Sequence, residues 1–166
     1  MSGYQPNLGD IGLTQITGDV GALIRLGQWL NGDGFANYEH AFVFIGDGQI
    51  VEAEPGGARI ADLTEYDART IAWVPCPPEH GAAVAQAARE LVGTPYSAAD
   101  YFALALHRFH IPVPWLKAYV NSSKHEICSQ LDVTAAVRGG WQVVPASDWP
   151  GYVTPADLAK LATAVP

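Results

Sequence analysis

A cysteine, a histidine and a glutamate are the residues of this sequence that could together catalyse a reaction. Cys128 follows Ser123 and Glu126, whose spacing is typical of a capping box at the start of a helix. A thiol near a helix N-terminus lies in a positive potential, which favours the nucleophilic thiolate. A histidine next to a carboxylate can take the thiol proton and later pass it to a leaving group. Cys128 could therefore be a nucleophile or, as free cysteines often are, a small buried side chain.

His40 and Glu52 stand at the two ends of a predicted β-hairpin. The segment 41–45 is apolar throughout, as a central strand is, and the segment 49–54 is predicted to be its partner. Gly46-Asp47-Gly48 between them is typical of a hairpin loop. The hairpin would therefore bring an imidazole and a carboxylate onto neighbouring strands.

The length of this loop decides which face of the hairpin the glutamates occupy. We expect a three-residue loop that closes with Gly48 in the left-handed conformation. The expected pairs are Ile45 with Gln49, Phe42 with Glu52, Ala41 with Ala53 and His40 with Glu54. Because side chains alternate along a strand, His40, Glu52 and Glu54 then share one face. A two-residue loop would shift every pair and put both glutamates on the other face.

The histidine and the glutamates also have purely structural interpretations. A carboxylate beside an imidazole can hold its tautomer and stabilise its charged form, which is half of a catalytic arrangement. A histidine at a strand start is equally typical of a polar residue at a sheet edge. Glutamates on an antiparallel strand commonly form its solvent face.

The remaining elements predict a mixed α+β protein with one domain over residues 1–166. Further strands are expected at 11–16 and 70–74, and a short one at 141–144, whereas 58–63 is interpreted as a connection. Helices are expected at 20–30, 79–92 and 98–109, and after Cys128 up to Gly139-Gly140. Thr154-Pro155 is typical of a last helix start.

The composition excludes several classes of protein. Hydrophobic residues make up 49% and charged residues 16% of the 166 positions, as in a globular protein. The net charge of -8 argues against nucleic acid or an anionic membrane surface as partner. No apolar run suggests a transmembrane segment. The N-terminus lacks the pattern of a secretory signal, which predicts a cytoplasmic location or delivery by a non-standard route.

The cysteines and histidines predict neither a disulfide framework nor a metal site. There are two cysteines, and together with the five histidines they show no zinc-binding spacing. Cys76 lies between prolines with no helix start nearby, so it is a poor nucleophile candidate. We therefore expect no metal and no cofactor.

Four segments resemble parts of the NlpC-type cell-wall hydrolases, which are papain-like cysteine enzymes. The segment from His40 through the Gly46-Asp47-Gly48 turn to Glu52 resembles their histidine-strand motif, in which the next strand carries a third polar residue at this offset. Gly9-Asp10-Ile11 resembles the strand that precedes this motif. Segment 126–131 resembles their nucleophile helix. Segment 93–97 resembles the segment that comes before the helix leading to that nucleophile helix.

The order of these motifs resembles the circularly permuted branch of that family. Cys128 follows His40 in this chain, whereas the cysteine comes first in the standard family. The permuted branch includes bacterial hydrolases and the lecithin–retinol acyltransferase-like enzymes. Permutation moves the termini while keeping spatial neighbours, so the geometry of a site can survive it. The resemblance implies a permuted papain-like fold, a small antiparallel sheet packed against helices.

The resemblance also implies roles for individual residues. Cys128 would be the nucleophile, His40 the general base and acid, and Glu52 the residue that orients the imidazole, with Glu54 as the alternative. Histidine, asparagine or glutamine are the more usual third residues in the standard family. Backbone N–H groups at the start of the Cys128 helix would bind the oxyanion. Tyr96, His125 and Glu54 are candidates for a further side-chain contact with the substrate or the oxyanion.

The substrate class follows from the resemblance alone. The standard family implies cleavage of an amide bond, with a cell-wall (peptidoglycan) peptide as the leading substrate. The permuted branch implies a lipid or acyl ester hydrolase or acyltransferase as an alternative. A binding or assembly module without catalysis, for example in a phage tail or a similar larger particle, is the alternative from a different class. The oligomeric state is not predicted.

Overall fold

One antiparallel sheet organises the part of the chain that the computed structural model describes, namely residues 4–15, 38, 40–54, 57–95, 128–145, 153 and 155–162. The sheet has five strands in the order β4-β3-β2-β1-β5. The strands are β1 (Ile11–Thr14), β2 (His40–Gly46), β3 (Gln49–Glu54), β4 (Gly57–Asp62) and β5 (Ala72–Val74). The 3₁₀ turn Leu63–Tyr66 and the helices α1 (Pro78–Glu90), α2 (Cys128–Arg138) and α3 (Pro155–Ala159) complete these elements. This confirms the α+β class with a small antiparallel sheet.

The two faces of the sheet are buried by different partners, because side chains alternate along each strand. One face, the helix-covered face, packs against α1 and α2 through strand residues including Ala41, Val43 and Val51. The other face, the aromatic face, carries a smaller cluster. Its members are Phe42, Phe44, Ile50, Ala61, Tyr66 and Trp73. Strand β2 is therefore apolar on both sides, as its sequence predicts.

The β2–β3 hairpin combines a two-residue turn with a β-bulge. Gly46 pairs with Gln49, and the turn residues Asp47 and Gly48 have φ values of 52° and 71°, as a type I′ turn requires. The three-residue loop and the pairing of Ile45 with Gln49 were therefore wrong predictions. Ile45 is instead an extra residue in strand β2, and beyond it the register shifts by one position.

Beyond the bulge the predicted register holds. Phe42 pairs with Glu52, as expected, and Val43 pairs with Val51. The bulge cancels the shift that a two-residue turn would otherwise impose, so the glutamates keep the face that the sequence predicts.

Strand β4 was interpreted from the sequence as a connection and forms the edge of this sheet instead. It pairs with β3 along its whole length, with Glu52 directly opposite Arg59. On its other side, Ala58 exchanges backbone hydrogen bonds with the segment after α1, at Thr94 and Gly93. The strand expected at 70–74 is present at 72–74, whereas 141–144 is not a strand.

The helices agree with their sequence patterns where they are described. Helix α1 begins at Pro78 and was expected at 79–92, and Gly93 follows with a φ of 86°. Helix α2 ends before Gly139, where an added Cβ would lie 2.5 Å from Val84 Cγ2 of α1, so this glycine allows the two helices to approach closely. The helices expected at 20–30 and 98–109 and the capping box at 123–126 lie outside the described residues. Among the described residues, no helix is long and apolar enough to cross a membrane.

A buried carboxylate fixes the start of β1. Asp10 is 1% exposed and accepts hydrogen bonds from the Tyr4 hydroxyl at 2.9 Å and from the backbone N–H groups of Asn7 and Cys76, both at 2.8 Å. Burial, together with the carboxylate of Asp10, raises the pKa of Tyr4 to about 12. Asp10 therefore joins the N-terminal segment, β1 and the chain after β5 at one point.

Candidate active site

The centre of the candidate site is a buried contact between His40 and Glu52. His40 is the first residue of β2, and Glu52 lies on the neighbouring strand β3. The Nε2 atom of His40 lies 2.7 Å from Oε2 of Glu52, and the two side chains are 3% and 0% exposed. The hairpin thus brings imidazole and carboxylate together on the aromatic face, as the register predicts.

This contact determines which nitrogen of His40 carries the proton in the neutral ring. An ionised carboxylate only accepts hydrogen bonds, so the proton of a neutral imidazole belongs on Nε2, next to Glu52. The lone pair of the neutral ring then lies on Nδ1. A base formed by this pair would therefore accept a proton at Nδ1.

Two further side chains contact Glu52. The hydroxyl of Tyr66, from the 3₁₀ turn, donates a hydrogen bond to Oε2, the same oxygen that contacts His40. The Nη2 atom of Arg59, from β4, lies 2.6 Å from Oε1, and it also lies 2.9 Å from Oε2 of Glu65. Both oxygens of the buried carboxylate are therefore engaged.

These contacts keep Glu52 ionised despite its burial. Burial raises the pKa of Glu52, but the hydrogen bonds from His40 and Tyr66 and the charges of His40 and Arg59 outweigh it, so the pKa lies below the ordinary value of 4.5. Burial, with the neighbouring Glu52 as the next cause, raises the pKa of Tyr66. Tyr66 therefore remains a protonated donor, and Glu52 remains an acceptor.

Aromatic packing fixes the position of the imidazole. The ring of Tyr66 stacks on that of His40 with centroids 5.8 Å apart, and the ring of Phe42 lies at 6.2 Å. The guanidinium of Arg69 lies 5.1 Å from the centroid of Tyr66. Gly12 of β1 leaves room for Phe42, because an added Cβ would lie 2.2 Å from Cε2 of that ring.

The other residues predicted for the site are described only in part. Glu54 is half-buried, and its carboxylate lies within 4.8 Å of the ligand atoms of His40 and Glu52. Cys128 is the first described residue of α2, and its side chain is not described. Tyr96 and His125 lie outside the described residues. The contact between Cys128 and His40 therefore stays a prediction.

The position of α2 limits how that contact could form. The body of α2 packs on the helix-covered face through residues such as Leu131 and Ala135. His40 and Glu52 lie on the aromatic face. A contact between Cys128 and His40 would therefore have to pass from the helix-covered side of the sheet to the aromatic side.

A metal ion fits this cluster less well than the ion pair that is present. His40, Glu52 and Glu54 offer ligand atoms that lie within 4.8 Å of one another. A divalent cation at this place would have to compete with the guanidinium of Arg59 for Glu52. The contacts of Glu52 with His40, Tyr66 and Arg59 are therefore favoured over the binding of a divalent cation.

Sequence reasoning missed Arg59 and Tyr66. The turn signal Pro55-Gly56-Gly57 after β3 predicts a second hairpin, which would have placed Arg59 opposite Glu52. Tyr66 has no comparable signal, because its position depends on the 3₁₀ turn that follows β4.

The raised pKa of Cys76 supports the prediction that it is a poor nucleophile, but the ground for that prediction was wrong, because helix α1 begins two residues later, at Pro78. Cys76 is buried, and burial, assisted by the charges of Asp10 and Glu79, raises the pKa of its thiol to about 11. A thiol with this pKa is almost entirely protonated at neutral pH.

Comparisons with known proteins do not place the chain in a family. No protein-family model, no curated protein and no solved structure matches it.

Proposed function

We propose that this protein is a cysteine hydrolase in which Cys128 is the nucleophile, His40 the general base and acid, and Glu52 the orienting carboxylate. The observation that carries the proposal is the 2.7 Å contact between Nε2 of His40 and Oε2 of Glu52 in a buried site. With this contact the neutral ring has its lone pair on Nδ1, the atom that we propose takes the thiol proton, and the lowered pKa of Glu52 keeps its carboxylate ionised. A fixed imidazole supported by an acid is the arrangement that activates a thiol.

The reaction would proceed through an acyl-enzyme. Nδ1 of His40 takes the proton of the Cys128 thiol, and the thiolate attacks the carbonyl carbon of the substrate. The imidazolium then protonates the leaving amine, and the C–N bond breaks to leave a thioester on Cys128. Water, deprotonated by His40, hydrolyses the thioester and returns the thiol. Glu52 stabilises the imidazolium in both halves of the reaction.

The substrate class follows from the resemblance to NlpC-type enzymes and their papain-like fold. We propose an amide bond in a cell-wall peptide. The acyl-enzyme could also form from an ester, so the same residues would serve a lipid or acyl ester hydrolase or acyltransferase.

The first experiment measures the reactivity of Cys128 with iodoacetamide, followed residue by residue by peptide mass spectrometry. We expect Cys128 to react faster at neutral pH than a free thiol, because its thiolate is stabilised by the imidazolium. Cys76 is the internal control and should remain almost unmodified in the folded protein, since its pKa is raised to about 11. A Cys128 that reacts no faster than a free thiol would contradict the proposal.

A disulfide trap tests whether the thiol reaches the correct face of the sheet. In a Cys76→Ser background, His40→Cys should form a disulfide with Cys128 under mild oxidation, since this needs Cα atoms only about 4.4–6.8 Å apart. Ala41→Cys is the matched control, because Ala41 is the next residue of β2 and lies on the helix-covered face. Crosslinking through residue 41 but not through residue 40 would put the thiol on the wrong face.

The substrate is tested with purified cell-wall peptides. Hydrolysis should release new amino groups, and Cys128→Ala should abolish that release. Hydrolysis that is indifferent to Cys128→Ala would reject the mechanism. Stable, stoichiometric co-purification with a partner and no hydrolysis would favour a binding or assembly module instead.

A further inference from the structure

We propose that Arg59 is a positioning residue, which holds Glu52 as an ionised and fixed partner of His40 and so acts on the reaction through those two side chains. The inference rests on the proposed function, because it assigns Arg59 to the same site. Arg59 itself need not touch the substrate.

The two strands place Arg59 where it can act on Glu52. Arg59 is directly opposite Glu52 in the β3–β4 pair, and side chains at directly opposite positions lie on the same face. Its Nη2 atom lies 2.6 Å from Oε1, whereas His40 and Tyr66 both contact Oε2. The two oxygens of the carboxylate therefore have different partners, which fixes the rotation of the group.

Arg59 supplies a contribution that the other partners of Glu52 do not. Among the described residues, Oε1 of Glu52 has no hydrogen-bond partner and is compensated by the ion pair alone. An ionised carboxylate without exposure to water requires such compensation, since its desolvation is costly. Tyr66 donates its hydrogen bond as a neutral group and His40 is charged only when protonated, whereas Arg59 carries a permanent charge.

The other charged groups around the site, apart from His40, do not compensate the negative charge of Glu52. Glu54 on β3 is a second negative group near His40, and Glu65 in the 3₁₀ turn contacts Arg59 at 2.9 Å from the solvent side. Arg69, after that turn, lies over the ring of Tyr66 and donates to the backbone oxygen of Gln15. Among the described residues, the ion-pair partners of Glu52 are Arg59 and, when it is protonated, His40, so Arg59 is the partner whose charge is permanent.

The direct test is the titration of the Glu52 carboxyl carbon by NMR, with its signal assigned from Glu52→Gln. In Arg59→Gln the carboxyl should titrate at higher pH than in the unmodified protein, because the charge that stabilises its ionised form is removed. Arg59→Lys keeps the charge and should restore most of the shift. Arg138→Gln, an exposed site at the end of α2, is the control for loss of one positive charge.

A second experiment measures how Arg59→Gln changes the reactivity of the Cys128 thiol. Relative to the unmodified protein, Cys128 of Arg59→Gln should react with iodoacetamide about tenfold more slowly at about pH 5, where more of Glu52 is protonated. The deficit should become small at about pH 8, where Glu52 is ionised again. A general loss of structure would lower reactivity at both pH values, so the pH dependence separates the positioning role from instability.

A milder variant covers the case in which Arg59→Gln does not fold. Glu65→Gln changes an exposed residue. It removes the outer contact of Arg59 but leaves the positive charge of Arg59 next to Glu52. Because a negative charge close to Glu52 and Arg59 is removed, Glu52 should titrate at lower pH than in the unmodified protein.

The outcomes distinguish this inference from the proposed function. If Cys128 is activated but Glu52 titrates at the same pH in all variants, the role of Arg59 is overturned and the hydrolase proposal stands. If the Glu52 titration shifts while Cys128 of the unmodified protein reacts as an ordinary thiol, the hydrolase proposal fails. Arg59 would then be a structural ion pair, and its positioning role would be overturned as well.

Discussion

Two carboxylates are buried against the same sheet, and their partners are of different kinds. Asp10, at the start of β1, is held by two backbone N–H groups and the hydroxyl of Tyr4. Glu52, on β3, is held by the side chains of His40, Tyr66 and Arg59. Backbone donors cannot change their protonation state, whereas an imidazole can gain or lose a proton near neutral pH.

This difference separates a structural carboxylate from one that is suited to chemistry. Asp10 connects three parts of the chain, and its main partners are fixed by the fold. Glu52 instead contacts three side chains, one of which is an imidazole. We therefore expect changes at Asp10 to affect stability, and changes around Glu52 to affect reactivity.

The largest expected effect is that of His40→Gln. Glutamine can still donate a hydrogen bond to Glu52 but cannot carry the proton, so the Cys128-dependent hydrolysis rate should fall about a thousandfold. The free energy of unfolding, measured by urea denaturation, should change by only about 1 kcal/mol. If His40→Gln instead lowered the free energy of unfolding strongly and left the hydrolysis rate per folded molecule unchanged, His40 and Glu52 would have a structural role, contrary to our expectation.

Asp10→Ala should have the largest effect on stability. It leaves three donors without their acceptor, which should lower the free energy of unfolding by about 3 kcal/mol. Asp10→Asn keeps one acceptor oxygen and should cost less. The iodoacetamide reactivity of Cys128 per folded molecule should be unchanged in both, and a drop in that reactivity would show that Asp10 also contributes to the site.

The contribution of Glu52 to the free energy of unfolding should depend on pH. Because its pKa in the folded protein is below 4.5, Glu52 stabilises the fold fully above that value. This contribution is lost as the pH falls through the lower, folded-state pKa. The difference in unfolding free energy between the unmodified protein and Glu52→Gln, measured by urea denaturation at several pH values, should therefore diminish toward acid. A difference that is independent of pH would contradict the lowered pKa.

The smallest effects come from a matched pair of tyrosines. Tyr4→Phe and Tyr66→Phe each remove one hydroxyl that donates to a buried carboxylate, and each should lower the unfolding free energy by about 1 kcal/mol. Only Tyr66→Phe should also lower the reactivity of Cys128, by a few-fold. Equal effects of the two variants on reactivity would remove the distinction between the two carboxylates.

The sequence predicted the face shared by His40 and Glu52 but not the hairpin that produces it. Alternation and the Gly46-Asp47-Gly48 turn were sufficient to pair Phe42 with Glu52. The bulge at Ile45 was not predictable, because an extra apolar residue does not interrupt an already apolar strand. The pairing was correct, whereas the predicted loop was not.

The partners of Glu52 depend on contacts that local patterns describe poorly. Strand β4 was missed because Arg59 and Asp62 interrupt its apolar pattern, although its pairing with β3 is complete. The hydroxyl of Tyr66 reaches Glu52 only because of the turn that follows β4. The approach of Cys128 to His40 depends on chain packing rather than on local pattern, and it stays a prediction.

Because of the bulge at Ile45, the contact between His40 and Glu52 depends on the exact number of residues in this hairpin. In a regular hairpin with the same two-residue turn, odd and even positions would exchange sides, and Glu52 would face α1 and α2 instead of His40. A variant that straightened β2 without shortening it would bury that acid among aliphatic side chains, and no single substitution at the histidine could restore the pair. An insertion or deletion in this hairpin is thus a more drastic event for the protein than most exchanges of its side chains.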